Sequence, residues 1–257
     1  MTASFMAGLF GLVLGSFLNV VITRVPLRES FLAGRSRCPQ CRTPLAWYDN
    51  IPLFSYAWLR GHCRACGAAI PWRYPLVELA GGLVVLALWH RFPDKLLLLA
   101  YVPFCLALVA LTVIDLEHRL LPDIITIPGI IFGLLCSLIL PHLSFPEAAA
   151  GALAGGALFY GVAWMYEKVA GRRGLGGGDV KLMAMIGAFL GAPSLPLIIC
   201  FSAALGSLAG FALVAVKGRY QDGQWRFVAI PYGPFLSVGA FIYLLAGENL
   251  LRLLGAG

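Results

Sequence analysis

Charge is scarce in this sequence. Only 12% of its 257 residues are charged, against 60% hydrophobic, and the mean hydropathy is +0.85. A chain so poor in charge cannot clothe a water-soluble domain, so the composition is that of a protein embedded in a bilayer. Also lacking is a basic stretch ahead of the first apolar run, Ala3 to Thr23, which excludes a cleaved signal peptide and predicts a retained helix with its N-terminus outside. No internal repeat is visible. The net charge of +7 would suggest nucleic acid in a soluble protein. Here the basic residues lie in short segments between apolar runs, where they set topology, and no nucleic-acid partner is expected. Disulfides are not expected either: of seven cysteines, Cys105, Cys136 and Cys200 lie in apolar runs and the other four form a metal-type pattern.

What is present is a series of eight apolar stretches, approximately Ala3–Thr23, Tyr74–Trp89, Lys95–Asp115, Asp123–Leu140, Pro146–Val169, Asp179–Gly191, Leu195–Val216 and Val228–Leu251. They predict an all-α polytopic membrane protein of about eight transmembrane helices. The second and sixth are short against the roughly 20 residues a bilayer core requires. With the N-terminus outside, 16 of the 19 basic residues fall inside, and only Arg91, Lys95 and Arg252 outside. That asymmetry places the loop after the first helix in the cytoplasm, together with the segments 116–122 and 170–178. The predicted organisation is a first transmembrane helix over 1–23, a cytoplasmic loop over 24–73, and a membrane-embedded domain over 74–257. In the fifth stretch, Gly151, Gly155, Gly156 and Gly161 are spaced for close helix packing.

The cytoplasmic loop carries Cys38-Pro-Gln-Cys41 and Cys63-Arg-Ala-Cys66. Two such knuckles place two thiolates each on one tetrahedral site, a zinc signature. Four thiolates leave no open coordination position, so the expected Zn²⁺ is structural and supplies much of the folding energy of a loop with little core. The intervening aromatic stretch, Trp47 to Tyr56, is read as the small core around that site, with contact to a peptide or the membrane interface as the alternative.

Acids at the edge of membrane helices are costly and mark function by default. Asp115 closes the third stretch and Asp179 opens the sixth, after a glycine run, and topology brings both to the same membrane face. Two carboxylates sharing a proton can activate water and protonate the leaving side of an amide, the chemistry of aspartic proteases. Alone, Asp179 could be a helix cap and Asp115 an interfacial charge.

The segments Gly15-Ser-Phe-Leu-Asn-Val-Val-Ile-Thr-Arg-Val-Pro26, Ile51-Pro-Leu-Phe-Ser-Tyr56 and Arg73-Tyr-Pro-Leu-Val-Glu78 accompany the four cysteines. Further on stand Asp115-Leu-Glu-His-Arg-Leu-Leu-Pro-Asp123 and Gly176-Gly-Gly-Asp-Val-Lys181. Across essentially the whole chain this series resembles the bacterial prepilin peptidases, intramembrane aspartyl proteases with a Gly-x-Gly-Asp motif. The resemblance implies that Asp115 and Asp179 are the catalytic pair. It implies cleavage of the basic leader from type IV prepilins or type II secretion pseudopilins, after a glycine at the cytoplasmic face of the bacterial inner membrane. It also implies, for many members, N-methylation of the new N-terminus with S-adenosylmethionine, whose site no motif here locates. Supporting or substrate-binding roles are expected for Gly176, Gly178, Asp123, Lys181 and Glu78. For Asp123 a helix cap comes first, and for Lys181 a head-group anchor; Glu78 could pair with Arg73, and the glycines could instead form a plain hinge. An ion-coupled transporter with the aspartates as a proton relay, or a non-catalytic zinc module that recruits pilins, are the rival readings. Oligomeric state is not encoded legibly.

Overall fold

The computed structural model describes residues 2–32, 34–171, 176–217 and 230–253. Arg172, Arg173, Arg219 and Arg226, which entered the sidedness assignment, lie outside the described residues. Among those described, nine α-helices and two short 3-10 turns account for the regular structure, and there is no strand. The chain divides into two compact units, Met1–Ala110 and Leu111–Gly257.

The first unit is organised by α1 (Thr2–Arg24) and α3 (Arg73–Arg91). They approach so closely that a Cβ on Gly11 would lie 2.6 Å from the Gly81 carbonyl oxygen, and one on Gly15 2.7 Å from Glu78 Cα. Small residues at the crossing are what permit two membrane helices to pack backbone to backbone. Polar contacts fix the register: Asn19 Nδ2 donates to the Tyr74 carbonyl at 3.0 Å, and Arg73 Nη2 to Thr23 Oγ1 at 2.9 Å. At 19 residues α3 spans about 28 Å, longer than the apolar stretch alone suggested. Between these helices the loop holds a 3-10 turn (Trp47–Asn50) and α2 (Phe54–Trp58). Its aromatic stretch does not form a core. Trp47, Phe54 and Trp58 are exposed, and Ser55 is the buried residue of the two short elements. With so few residues between two metal knuckles, the large rings have no second layer to bury against.

α4 (Leu96–His118) runs from the first unit into the second, which continues with α5 (Asp123–Cys136), α6 (Phe145–Ala170), α7 (Gly177–Leu190), α8 (Leu195–Lys217) and α9 (Gly233–Leu253). Within the second unit α7 packs against α5, α6 and α9. Leu182, Met183, Met185, Ile186 and Ala188 of α7 are fully buried. Glycines admit these neighbours. Gly151 of α6 meets the Gly187 backbone, a Cβ at Gly155 would lie 2.7 Å from the Met183 carbonyl oxygen, and one at Gly133 of α5 2.9 Å from the Phe189 ring. Gly161, grouped with these by spacing, faces open space. α8 and α9 are joined where Ser202 Oγ donates to the Phe235 carbonyl at 3.1 Å.

Among the described residues, four helical segments are long and apolar enough to cross a membrane: Thr2–Arg24, Leu96–His118, Phe145–Ala170 and Ala192–Leu213. Asp123–Cys136 and Gly233–Gly247 are shorter apolar helices. Every apolar stretch of the sequence corresponds to one helix. The eighth differs at its start: residues 230–232 are not helical and α9 begins at Gly233, because Pro231 and Pro234 have no N–H to donate to a preceding turn.

Candidate functional site

Asp115 lies one turn inside the C-terminal end of α4, and Asp179 in the first turn of α7; both are buried. α4 therefore continues past the point where the apolar run stops, and it ends where Arg119 takes a positive φ of 53° while its N–H bonds the Asp115 carbonyl at 2.9 Å. The two carboxylates are near enough to act on each other electrostatically.

The elements between them explain the approach. The Gly233 N–H donates to Asp115 Oδ2 at 3.0 Å. A Cβ at Gly233 would lie 2.7 Å from that oxygen and 3.2 Å from Leu121 Cδ2. Leu121 in turn fills the space beside Gly178, where a Cβ would lie 2.7 Å from Leu121 Cβ. Asp115, Gly233, Leu121, Gly178 and Asp179 thus form one continuous packed path, with glycine at the two points where a side chain would force the acids apart. Tyr232 also lies within electrostatic range of Asp179. Leu121, Tyr232 and Gly233 were not singled out from the sequence. The signal was available in Ile230-Pro-Tyr-Gly-Pro234, a rigid break inside an apolar stretch of a membrane protein.

The glycines before Asp179 have distinct positions. Gly176 is the N-cap of α7, with φ −75° and ψ 143°, and its carbonyl accepts the Asp179 N–H at 3.1 Å. Gly177 and Gly178 already belong to the helix. A Cβ at Gly178 would meet Leu121, and Gly177 faces open space.

Asp123 is the first residue of α5, preceded by Pro122 at the N-cap position, and makes no cap. Its carboxylate instead takes Lys181 Nζ on both oxygens, at 2.6 and 2.7 Å. Lys181 thereby joins α7 to α5 within two residues of Asp179. Glu78 is in the other unit. Its Oε2 accepts the Leu53 N–H at 2.8 Å and ties the cysteine loop to α3.

Cys38, Cys41, Cys63 and Cys66 converge, their sulfurs all within 4.8 Å of one another, with Cys38 Sγ 3.9 Å from Cys66 Sγ. Tetrahedral thiolates at about 2.3 Å from zinc stand about 3.8 Å apart, so the cluster fits a metal of that size. The two knuckles have the same backbone. Cys38 N–H bonds the Thr43 carbonyl and Arg42 N–H the Cys38 carbonyl; Cys63 N–H bonds the Ala68 carbonyl and Gly67 N–H the Cys63 carbonyl. The residue after each second cysteine is left-handed, Arg42 at φ 57° and Gly67 at φ 69°, a conformation glycine adopts without cost. Hydrogen bonding with the Thr43 side chain and backbone brings the Cys41 thiol down to about 6.

Two family models match the chain: the bacterial peptidase A24 N-terminal domain over residues 9–92, and the type IV leader peptidase family over 102–211. Relatives named prepilin leader peptidase/N-methyltransferase are similar over nearly the whole length. The protein of Aeromonas hydrophila is 37% identical over 95% of this chain and 91% of its own, and that of Pseudomonas putida 33% over 97% and 94%. The chain belongs to the type IV leader peptidase family. Within this leader peptidase the first match carries the cysteine cluster and Glu78, and the second carries Asp115, Asp123, Gly176, Gly178, Asp179 and Lys181. Gly233 lies beyond both. The Myxococcus xanthus relative of the same name is 43% identical over 81% of this chain and 62% of its own. No solved structure matches.

Proposed function

We propose that this chain is a membrane aspartyl endopeptidase that removes the basic leader from type IV prepilins or type II secretion pseudopilins, cutting after a glycine at the cytoplasmic face of the bacterial inner membrane. The observation that carries this is the convergence of Asp115 and Asp179, two buried carboxylates from different helices held together through Leu121 and two glycines. In this reading one carboxylate takes a proton from water as the water attacks the scissile carbonyl, and the other gives a proton to the leaving amine nitrogen. Lys181 and Asp123 support the site by fixing α7 against α5, and Gly176 and Gly178 by letting Asp179 approach. Like its relatives in name, the enzyme also methylates the new N-terminus, with S-adenosylmethionine as donor.

The eight apolar helices cross the bilayer, α1 with its N-terminus outside. Residues 1–23 form the first crossing, 24–73 a cytoplasmic domain around a structural Zn²⁺ on Cys38, Cys41, Cys63 and Cys66, and 74–257 the protease domain. The acids sit at the ends of their helices and not at mid-helix, which favours a protease working at one face over a proton relay through the membrane.

The test is prepilin cleavage by protein purified in detergent, comparing wild type with Asp115→Asn and Asp179→Asn. Both variants are expected to lose cleavage by about 10³-fold or more at an unchanged melting transition, as when one member of a catalytic unit is removed. Cleavage retained by either variant rules out the pair.

A further inference from the structure

Both glycines on the path between the acids face one side chain, Leu121. The point that a Cβ on Gly178 would occupy is 2.7 Å from Leu121 Cβ and 3.2 Å from its Cδ1, and the corresponding point at Gly233 is 3.2 Å from its Cδ2. That second point is also 2.7 Å from Asp115 Oδ2. The Leu121 methyl and the Asp115 oxygen thus face each other across the room of a single missing methyl group. On the side of the other acid, a Cβ at Gly176 would lie 3.5 Å from Asp179 Oδ2.

Leu121 is held in this place from both ends. It belongs to the bridge 119–122 between α4 and α5. One end is fastened where the Arg119 N–H bonds the Asp115 carbonyl, the other where Asp123 takes Lys181 of α7. Pro122 is buried, with φ −67° and ψ 132°, and a proline disfavours helical backbone in the residue before it. The two leucines of the bridge part: Leu120 is 46% exposed and Leu121 7%. A move of Leu121 toward either glycine would drive carbon into backbone, and a close-packed interior does not yield the volume of a methyl group without cost.

In the reaction proposed above, the scissile carbonyl carbon must come within about 3–3.5 Å of the attacking water at the carboxylates. The α-carbon bonded to that carbonyl then lies beside the acids, and any side chain on it must find room in the wall next to them. Leu121 fills that wall. A glycine needs no such room.

We propose that Leu121 sets the requirement for glycine before the cleaved bond, its side chain occupying the space that a β-carbon on the residue supplying the scissile carbonyl would need. The inference rests on the cleavage after glycine proposed above. It makes Leu121 a specificity-determining residue, and it gives the Lys181 and Asp123 pair a second consequence, because that pair anchors the bridge that carries Leu121.

The experiment measures kcat/KM on two prepilins in detergent, one with glycine before the cleaved bond and one with alanine there. Wild type is expected to prefer glycine by about 10²-fold or more. Leu121→Ala removes the branched end of the side chain and should lower that preference about tenfold, and Leu121→Val about threefold. Leu120→Ala, at the exposed neighbour, should shift it less than about twofold. A Leu121 that only packs would move both rates together and leave their ratio alone. The melting transition checks folding; if Leu121→Ala does not fold, Leu121→Val decides. A glycine-to-alanine ratio unchanged in the folded variants overturns this role of Leu121 and leaves the peptidase reading intact. Wild-type protein that cleaves the two prepilins alike overturns the glycine requirement, and wild-type protein that cleaves neither overturns the peptidase reading itself.

Discussion

The backbone N–H of Gly233 points at the Asp115 carboxylate, 3.0 Å from Oδ2, from a segment 118 residues further along the chain. A peptide group is the most rigid donor a protein can aim at a side chain, and the prolines on either side, Pro231 and Pro234, fix its direction. Asp115 is thus positioned by the start of α9 as much as by its own helix.

Gly233→Ala is therefore expected to reduce kcat/KM for prepilin cleavage by about 10²-fold, because the added methyl would sit 2.7 Å from Asp115 Oδ2 and must displace it. Gly177→Ala, at a position with nothing within 4 Å, is the comparison and should change the rate less than about threefold. Steady-state kinetics on the two purified variants make the measurement. Equal effects would remove the packing argument.

The Lys181 and Asp123 pair is short but solvent-accessible, with side chains 40% and 59% exposed. Its coupling free energy in a double-mutant cycle of Lys181→Met and Asp123→Asn, read from unfolding in detergent, should not exceed about 1 kcal/mol. A larger loss of cleavage than of stability would show that the pair acts by placing Asp179.

For the cysteine cluster, one zinc per chain is expected by atomic emission, with four sulfur neighbours at about 2.3 Å by X-ray absorption. Cys63→Ser should lower the zinc content and open the segment 24–73 to added protease, since metal binding supplies the folding energy of such a loop. A loop that remains protected without metal would contradict a structural role.

The crossing of α1 and α3 makes a fourth prediction. Gly15→Val would drive a branched side chain into the Glu78 backbone and should destabilise the first unit by about 2–4 kcal/mol, measured as lost protection in hydrogen exchange over residues 2–24 and 73–91.

Much of this was legible in the sequence because membrane chains are written in a restricted alphabet. Apolar stretches ended by charge, glycine or proline located every long helix, and the two Cys-x2-Cys knuckles announced their own convergence. What escaped was whatever depends on a partner distant in sequence. Nothing in Asp123 or Lys181 alone says that they bind each other. Glu78 was aimed at Arg73 on its own helix but turned to Leu53 in the loop. Nothing in Gly178 alone says that Leu121 packs against it. The aromatic stretch after Cys41 looked like a core because its residues are large, but a loop of that size has too little protein behind it to cover them.

The burial of α7 reaches beyond the site. A helix of 14 residues that carries an aspartate and a lysine in its first turns would be a poor candidate to enter hydrocarbon by itself. Surrounded by α5, α6 and α9, it has no need of lipid. Its entry must then wait on those neighbours, one of which, α9, is synthesised after it. The proposed site is therefore completed only when α9 has arrived, so a chain not yet synthesised to Gly233 carries both aspartates without the N–H that positions the first.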